Sequence, residues 1–308
     1  MGDGVMVFAP APVLTVTIEQ QADALELHVH PGGQGVWEAR MVASLGASVT
    51  LCVAVGGEIG TLLRRLLADE DVTLRAVTRE AGNGWYVHDR RDGSRAEIAA
   101  DAGPPMVRHD IDELYNMALA EGLRASVAVL SGPAHPSVVD PDIYRRLAAD
   151  LTANGTRVVA DLSGPHLAAA LAGGIAFVKV SHEELIADGR AEDDSVESLI
   201  TGARRLRDDG AGSVLISHAD QPAIALLDDE VVQVHLPKLQ VAEHRGAGDS
   251  MTAGVAAVLS RGGDLHEAVR TGAAAGALNV TRHGLGTGRA EAVRELISRV
   301  RMTSPEQQ

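Results

Sequence analysis

Five apolar runs, Val49 to Val55, Val127 to Leu130, Val158 to Ala160, Ile175 to Val180 and Val214 to Ile216, carry no polar alternation. A strand with one wet face alternates, whereas a strand apolar throughout is buried on both faces, as in a parallel sheet covered by helices on either side. Between the runs, helical patterns lie over Glu58 to Asp69, Ile111 to Gly122, Asp142 to Asn154 and Ser195 to Asp209. The expectation is an α/β fold in three layers with a mainly parallel sheet. Ala24 to His30 and Trp85 to Ile98 depart from the alternation, and the second contains the hairpin-like turn Arg91-Asp92-Gly93-Ser94. A chain of 308 residues with 45% hydrophobic composition suffices for one large α/β domain and a small appendage. No internal repeat or low-complexity stretch interrupts it, and Thr303 to Gln308 reads as a frayed tail.

Charge narrows the partners. The formal net charge is −15, and the aromatics are Phe8, Trp37, Trp85, Tyr86, Tyr115, Tyr144 and Phe177. A nucleic-acid surface wants basic patches and stacking platforms, so none is expected. Cys52 is the single cysteine and sits within an apolar run, which rules out a disulfide or thiolate metal site within one chain. No apolar run reaches about 18 residues, and the first residues do not read as a secretion signal, so a cytoplasmic protein without membrane spans is expected.

The chemistry centres on Gly246-Ala247-Gly248-Asp249-Ser250-Met251-Thr252-Ala253-Gly254. Small residues at Gly246, Ala247 and Gly248 let backbone approach a ligand, and a helix from about Asp249 to Leu259 aims unpaired N–H groups at it. An anion held there is a phosphoryl group, and Asp249 is placed to take the proton of an attacking hydroxyl. The same residues also fit an N-cap aspartate after a glycine turn.

A second glycine-rich turn, Pro31-Gly32-Gly33-Gln34-Gly35, opens the helical pattern Val36 to Gly46. With the first turn it resembles the PfkB, or ribokinase-like, carbohydrate kinases, and most closely their phosphofructokinase and tagatose-6-phosphate kinase group. Further matches follow in order: Thr15-Val16-Thr17 with Asp23, Leu130-Ser131-Gly132, Ala160-Asp161-Leu162-Ser163-Gly164, and Lys179 with Glu184-Leu185. The resemblance implies transfer of phosphate from ATP to a sugar hydroxyl, with Mg²⁺, in a ribokinase-like domain spanning 1–308. It also implies a small β-sheet lid, with strands at about 13–30 and 84–100, and a homodimer formed through it.

Carried over by resemblance, Asp249 is the base, and Gly246, Ala247 and Gly248 form the anion hole. Asp23, Gly32, Gly33, Gln34 and Trp37 fall at the sugar, with Thr17 to Gln21 standing where the group has Asn-Pro-Ala. Lys179, Ser181, Ser217, Arg245 and Asn279 fall at the nucleotide, and Glu184 at Mg²⁺. The wall Ala273 to Ala277 matches the seat of adenine, although small residues also allow close helix packing. Trp85 and Tyr86 fall with Trp37 around the substrate mouth.

Several positions depart from the pattern. Gln34 stands for a phosphate-holding Lys, Trp37 for an Asn and Ser181 for an Asn. Ala219 and Pro222 replace two glycines of the nucleotide loop, which predicts a loop of another shape. Arg79, Arg90, Arg91 and Arg95 lie near a missing lid arginine and could replace its charge. Three readings compete: a phosphofructokinase-like enzyme using the lid arginines, a kinase for an unphosphorylated sugar or nucleoside with Trp37 filling the vacated pocket, and a ligand-binding protein that kept the fold. His28, His30 and His88 have no cysteine partner and carry no zinc-site reading.

Overall fold

The structure is a computed structural model that describes residues 4–21, 24–240, 245–281 and 286–305. The chain runs through β1 (Val5–Phe8), β2 (Val13–Gln21), β3 (Ala24–Gly32), α1 (Gln34–Ser44), β4 (Val49–Gly56), α2 (Gly57–Leu67), β5 (Thr73–Arg79), β6 (Trp85–Asp89) and β7 (Ala96–Asp101). It continues through α3 (Arg108–Gly122), β8 (Val127–Ser131), α4 (Asp142–Ala153), β9 (Arg157–Asp161), α5 (Gly164–Gly173), β10 (Ile175–Ser181), α6 (His182–Ala187) and α7 (Val196–Asp208). The last part holds β11 (Ala211–Ser217), β12 (Ala223–Leu227), β13 (Glu230–His235), α8 (Ala247–Ser260), α9 (Leu265–Asn279), α10 (Ala290–Ile297) and β14 (Arg301–Thr303).

Ten strands form one sheet in the order β14-β13-β12-β11-β10-β9-β8-β1-β4-β5. From β5 to β11 every neighbour is parallel, and the five apolar runs supply β4, β8, β9, β10 and β11. Successive side chains of β1 go to opposite cores: Val5 and Val7 lie with α1, α2, α8 and α9, while Met6 and Phe8 lie with α3 and α4. This is the period of two that a strand buried on both faces requires.

The parallel rule stops at β11. Strands β12, β13 and β14 continue the sheet antiparallel, so Thr303 belongs to a strand and not to a tail. The link between β12 and β13 is Asp228-Asp229, and Asp228 takes a left-handed φ of 49°, which Asp tolerates better than most residues. A two-residue connection forces an antiparallel return, since a parallel one needs a crossover.

The second sheet, β3-β2-β6-β7, is the expected lid. Register sorts its faces. Thr15, Thr17, His28, His30, Tyr86 and His88 pair across neighbouring strands on one side, and Leu14, Val16, Ile18, Leu27, Val29, Trp85 and Val87 pair on the other. Part of the apolar side packs on the core through Val16, Val29 and Trp85. Leu25 and Leu27, farther out on β3, are 66% and 65% exposed, which leaves an apolar lid face in water.

Candidate active site

Strand register builds the floor of the site. Ser131, Asp161 and Lys179 are partners at the C-terminal ends of β8, β9 and β10, the edge at which open α/β sheets bind ligands. Asp161 and Lys179 pair at 3.5 Å with both side chains almost wholly buried. Thr252 of α8 donates to the second carboxylate oxygen of Asp161 at 2.7 Å.

Helix α8 enters over this floor. Its N-cap is Gly246, left-handed at φ 75° and without a side-chain cap, so the helix begins at Ala247 and Asp249 is its third residue. The N-cap reading of Asp249 therefore falls away. No hydrogen bond reaches its carboxylate among the described residues, while the first-turn N–H groups have no intrahelical partner by geometry. A β-carbon on Gly248 would stand 2.1 Å from Lys179 Nζ, so the lysine amine lies against the catalytic turn.

Asp249 is half-buried, and loss of water, then the Asp161 carboxylate, push its pKa up to about 7. Burial likewise raises Asp161 and holds Glu38 well above the carboxylate range, with neighbouring carboxylates adding to it. Burial alone would lower Lys179, but Asp161, Glu184, Asp249 and Glu38 outweigh it and hold the ammonium charged. Asp161 and Glu38 were not among the sequence-derived site residues. The signal for Glu38 was a carboxylate inside the apolar stretch Val36, Ala39, Met41 and Val42; for Asp161 it was an acid closing the run Val158-Val159-Ala160.

The other expected residues divide. Gly32 ends β3 and Gly33 caps α1. Gln34 turns inward: Nε2 donates to the Asp161 carbonyl at 3.0 Å and Oε1 accepts from the Gly132 N–H at 3.2 Å. Both ends of the amide thus join two strand ends. Thr17 to Gln21 lie out along lid strand β2, and Ala9-Pro10-Ala11-Pro12 links β1 to it. Asp23 lies outside the described residues.

On the nucleotide side, Ser181 and Ser217 are register partners at the ends of β10 and β11. Ser181 caps α6, and Glu184 closes the capping box by accepting from the Ser181 N–H and hydroxyl through Oε2. Asn279 is fully buried, donating to the Arg245 carbonyl at 2.8 Å and accepting from the Gly286 N–H at 3.2 Å. It ties the turn before α8 to the loop before α10, and both its amide atoms are engaged by backbone. Ala273 to Ala277 are buried where α9 crosses α8, close enough that a β-carbon on Gly254 would stand 2.6 Å from Gly272 Cα. Close helix packing suffices to account for these small residues.

The family model for pfkB family carbohydrate kinase matches residues 12–292. This chain belongs to that family. It is 31% identical over 258 residues to the ATP-dependent 6-phosphofructokinase isozyme 2 of Escherichia coli, covering 82% of each chain, and 28% identical over 276 residues to the 1-phosphofructokinase of Bacillus subtilis, covering 89% of this chain and 88% of that one. The crystal structure of phosphofructokinase-2 from Escherichia coli in complex with potassium superposes with a TM-score of 0.86 at 26% identity, over 96% of this chain and 99% of that one.

In this carbohydrate kinase the lid arginines have separate fates. Arg79 is buried, bonded to the Pro104 carbonyl at 2.8 Å and 3.9 Å from Asp110, so it is structural. Arg91 folds back on Asp89 within the lid turn. Arg90 and Arg95 line a cavity of about 630 Å³ together with Trp37, Arg40, His28 and His30. Neither Asp249 nor His88 lines it. Arg95 donates to His88 Nε2 at 2.7 Å, and Arg245 acts electrostatically on both His88 and Asp249. Burial first, then these arginines, bring His88 down to about 4, so it is neutral and carries its proton on Nδ1. Tyr86 faces this side, whereas Trp85 packs on the core, away from the mouth.

The loop after β11 makes a left-handed turn at an alanine. Ala219 adopts φ 44°, and the Gln221 N–H closes the turn on the His218 carbonyl at 2.8 Å. This turn is held at the cost of strain at an alanine. Such strain persists only where surrounding structure over-determines it.

Proposed function

We propose that this kinase transfers the γ-phosphate of ATP to a hydroxyl of a sugar phosphate, as its relatives' names say of them. The observation that carries the reading is Asp249: third residue of α8, free of any capping bond, raised to about 7 and beside unpaired helix N–H groups. The acceptor hydroxyl gives its proton to Asp249 as its oxygen attacks the γ-phosphorus in line. The bond to the bridging oxygen breaks and ADP leaves. Charge on the transferred group meets the first-turn N–H groups and Lys179, which are already oriented before reaction.

Glu184 fits a hydrated Mg²⁺, since Oε2 is anchored by Ser181 and the carboxylate keeps acceptor capacity on its other oxygen. The ion supplies charge neutralisation on the nucleotide phosphates. The substrate phosphate is assigned to the cavity of Arg40, Arg90, Arg95, His28 and His30, which Trp37 lines from α1 and in which Arg40 pairs with Glu70 and Arg90 with Glu19. One observation favours an unphosphorylated sugar instead: Gln34, at the position of a phosphate-holding Lys in the resembling kinases, is committed to Gly132 and Asp161.

The exposed Leu25 and Leu27 support a homodimer joined through the lid. No described helix is long and apolar enough to cross a membrane, and a cytoplasmic enzyme fits the free buried Cys52. Steady-state rates with fructose-6-phosphate, fructose-1-phosphate, tagatose-6-phosphate and the free sugars test the reading. Turnover restricted to free sugars overturns the phosphate assignment, and no turnover with any of them overturns the proposed reaction.

A further inference from the structure

Glu38 has no use in the reaction described above, yet it is a wholly buried carboxylate in the middle of α1. Its Oε2 accepts from the Ser131 hydroxyl, and its Oε1 has no hydrogen-bond partner among the described residues. An orphaned buried carboxylate oxygen is expensive unless something cationic or hydrogen-donating meets it. Lys179 does not fill that role, since its ion pair is with Asp161.

What faces Glu38 instead is more negative charge. Glu38, Asp161 and Asp249, from α1, β9 and α8, each offer a carboxylate oxygen within 4.8 Å of the others. Oxygen ligands about 2.0 to 2.6 Å from a hard divalent ion stand no farther apart than about 4 to 5 Å, so the three oxygens span one ion. Burial and their mutual repulsion raise all three carboxylates, so a divalent ion displaces their protons as it binds.

We propose that Glu38, Asp161 and Asp249 bind one divalent cation of the oxygen-preferring class, Mg²⁺ or Mn²⁺, in the absence of nucleotide. This site is separate from the nucleotide ion assigned to Glu184. Each carboxylate has two oxygens, so Asp249 gives one to the ion and keeps the other for the acceptor hydroxyl. Thr252 on Asp161 and Ser131 on Glu38 orient two of the ligands from behind, as metal-binding carboxylates require.

The test uses the full chain, stripped of metal with a chelator and free of nucleotide, titrated with MnCl₂ while free Mn²⁺ is read by electron paramagnetic resonance. Wild type binds one Mn²⁺ per chain, Glu38→Gln weakens that binding by at least ~10-fold, and Glu184→Gln leaves it unchanged. The melting temperature of wild type rises with Mn²⁺, and that of Glu38→Gln does not. Should Glu38→Gln fail to fold, Asp249→Asn carries the same comparison. The proposal is overturned if wild type binds no Mn²⁺ at millimolar concentration, if the carboxylate variants bind as wild type does, or if Glu184→Gln abolishes binding. Because no turnover is read, failure here is distinct from failure of the kinase reading.

Discussion

Lys179 and Asp161 are register partners on adjacent parallel strands, and their side chains meet at 3.5 Å beneath the helix that carries Asp249. The pair is the electrostatic foundation of the site, because Lys179 is a buried cation opposing four carboxylates. Breaking a buried pair by removing one partner costs about 3–5 kcal/mol, since the other charge is left uncompensated. Lys179→Met is therefore expected to lose stability on that scale in urea at pH 8. The deficit should shrink at pH 5.5, as the carboxylates raised by burial take up protons. An equal deficit at both pH values contradicts the role given to Lys179.

Asp249 makes the pH dependence specific. Its value rises from 3.8 unfolded to about 7 folded, so the folded state holds an extra proton between those limits. Its contribution to stability is full below about 4 and is lost as pH rises through about 7. Asp249→Asn has no such loss, so in metal-free protein its stability relative to wild type should grow from pH 4 to 8, by at most about 4 kcal/mol. The acid limb of kcat/KM should likewise fall near pH 7 and not near 4. Parallel stability curves for the two proteins would remove Asp249 as the titrating group.

Gln34 joins the ends of two strands, and that bond is testable apart from any substrate. Gln34→Leu keeps the volume but strands the Gly132 N–H and the Asp161 carbonyl, at a cost of about 1–3 kcal/mol. Thermal unfolding should register this as a lower Tm. An unchanged Tm means that the amide faces the cleft and is available to substrate.

Ala219 holds a φ of 44° that glycine adopts without penalty. Ala219→Gly is expected to be neutral or to stabilise by up to about 1 kcal/mol, against the usual loss for an alanine-to-glycine change. Asp228→Gly, at φ 49° in another turn, is the control for a residue type that tolerates this region. A loss above about 1 kcal/mol for Ala219→Gly contradicts the strain.

Most of the fold was legible because parallel strands and amphipathic helices leave plain marks, as in the apolar run Ile175 to Val180 that became β10. The antiparallel edge was not. The run Ala223 to Leu227 has the apolar character of a parallel strand, and only the two-residue link Asp228-Asp229 betrays the hairpin. In the site, local turns such as Gly246 to Gly248 were readable, since their chemistry lies in adjacent residues. Glu38, Asp161 and Lys179 converge from separate elements, and no sequence spacing records that meeting. Asn279 and Gln34 show the converse, as polar residues near a site whose hydrogen bonds go to backbone. Which way an amide turns is decided by tertiary partners, not by position in a motif.

The central claim is that Asp249 takes the proton of the acceptor hydroxyl. The most direct test is the steady-state rate of ATP-dependent sugar-phosphate phosphorylation by Asp249→Asn, with ATP affinity measured on the same preparation. The account predicts a fall in kcat of at least ~10² with the ATP Kd within a few-fold of wild type. Turnover within a few-fold of wild type, by a variant that still binds ATP, would contradict it.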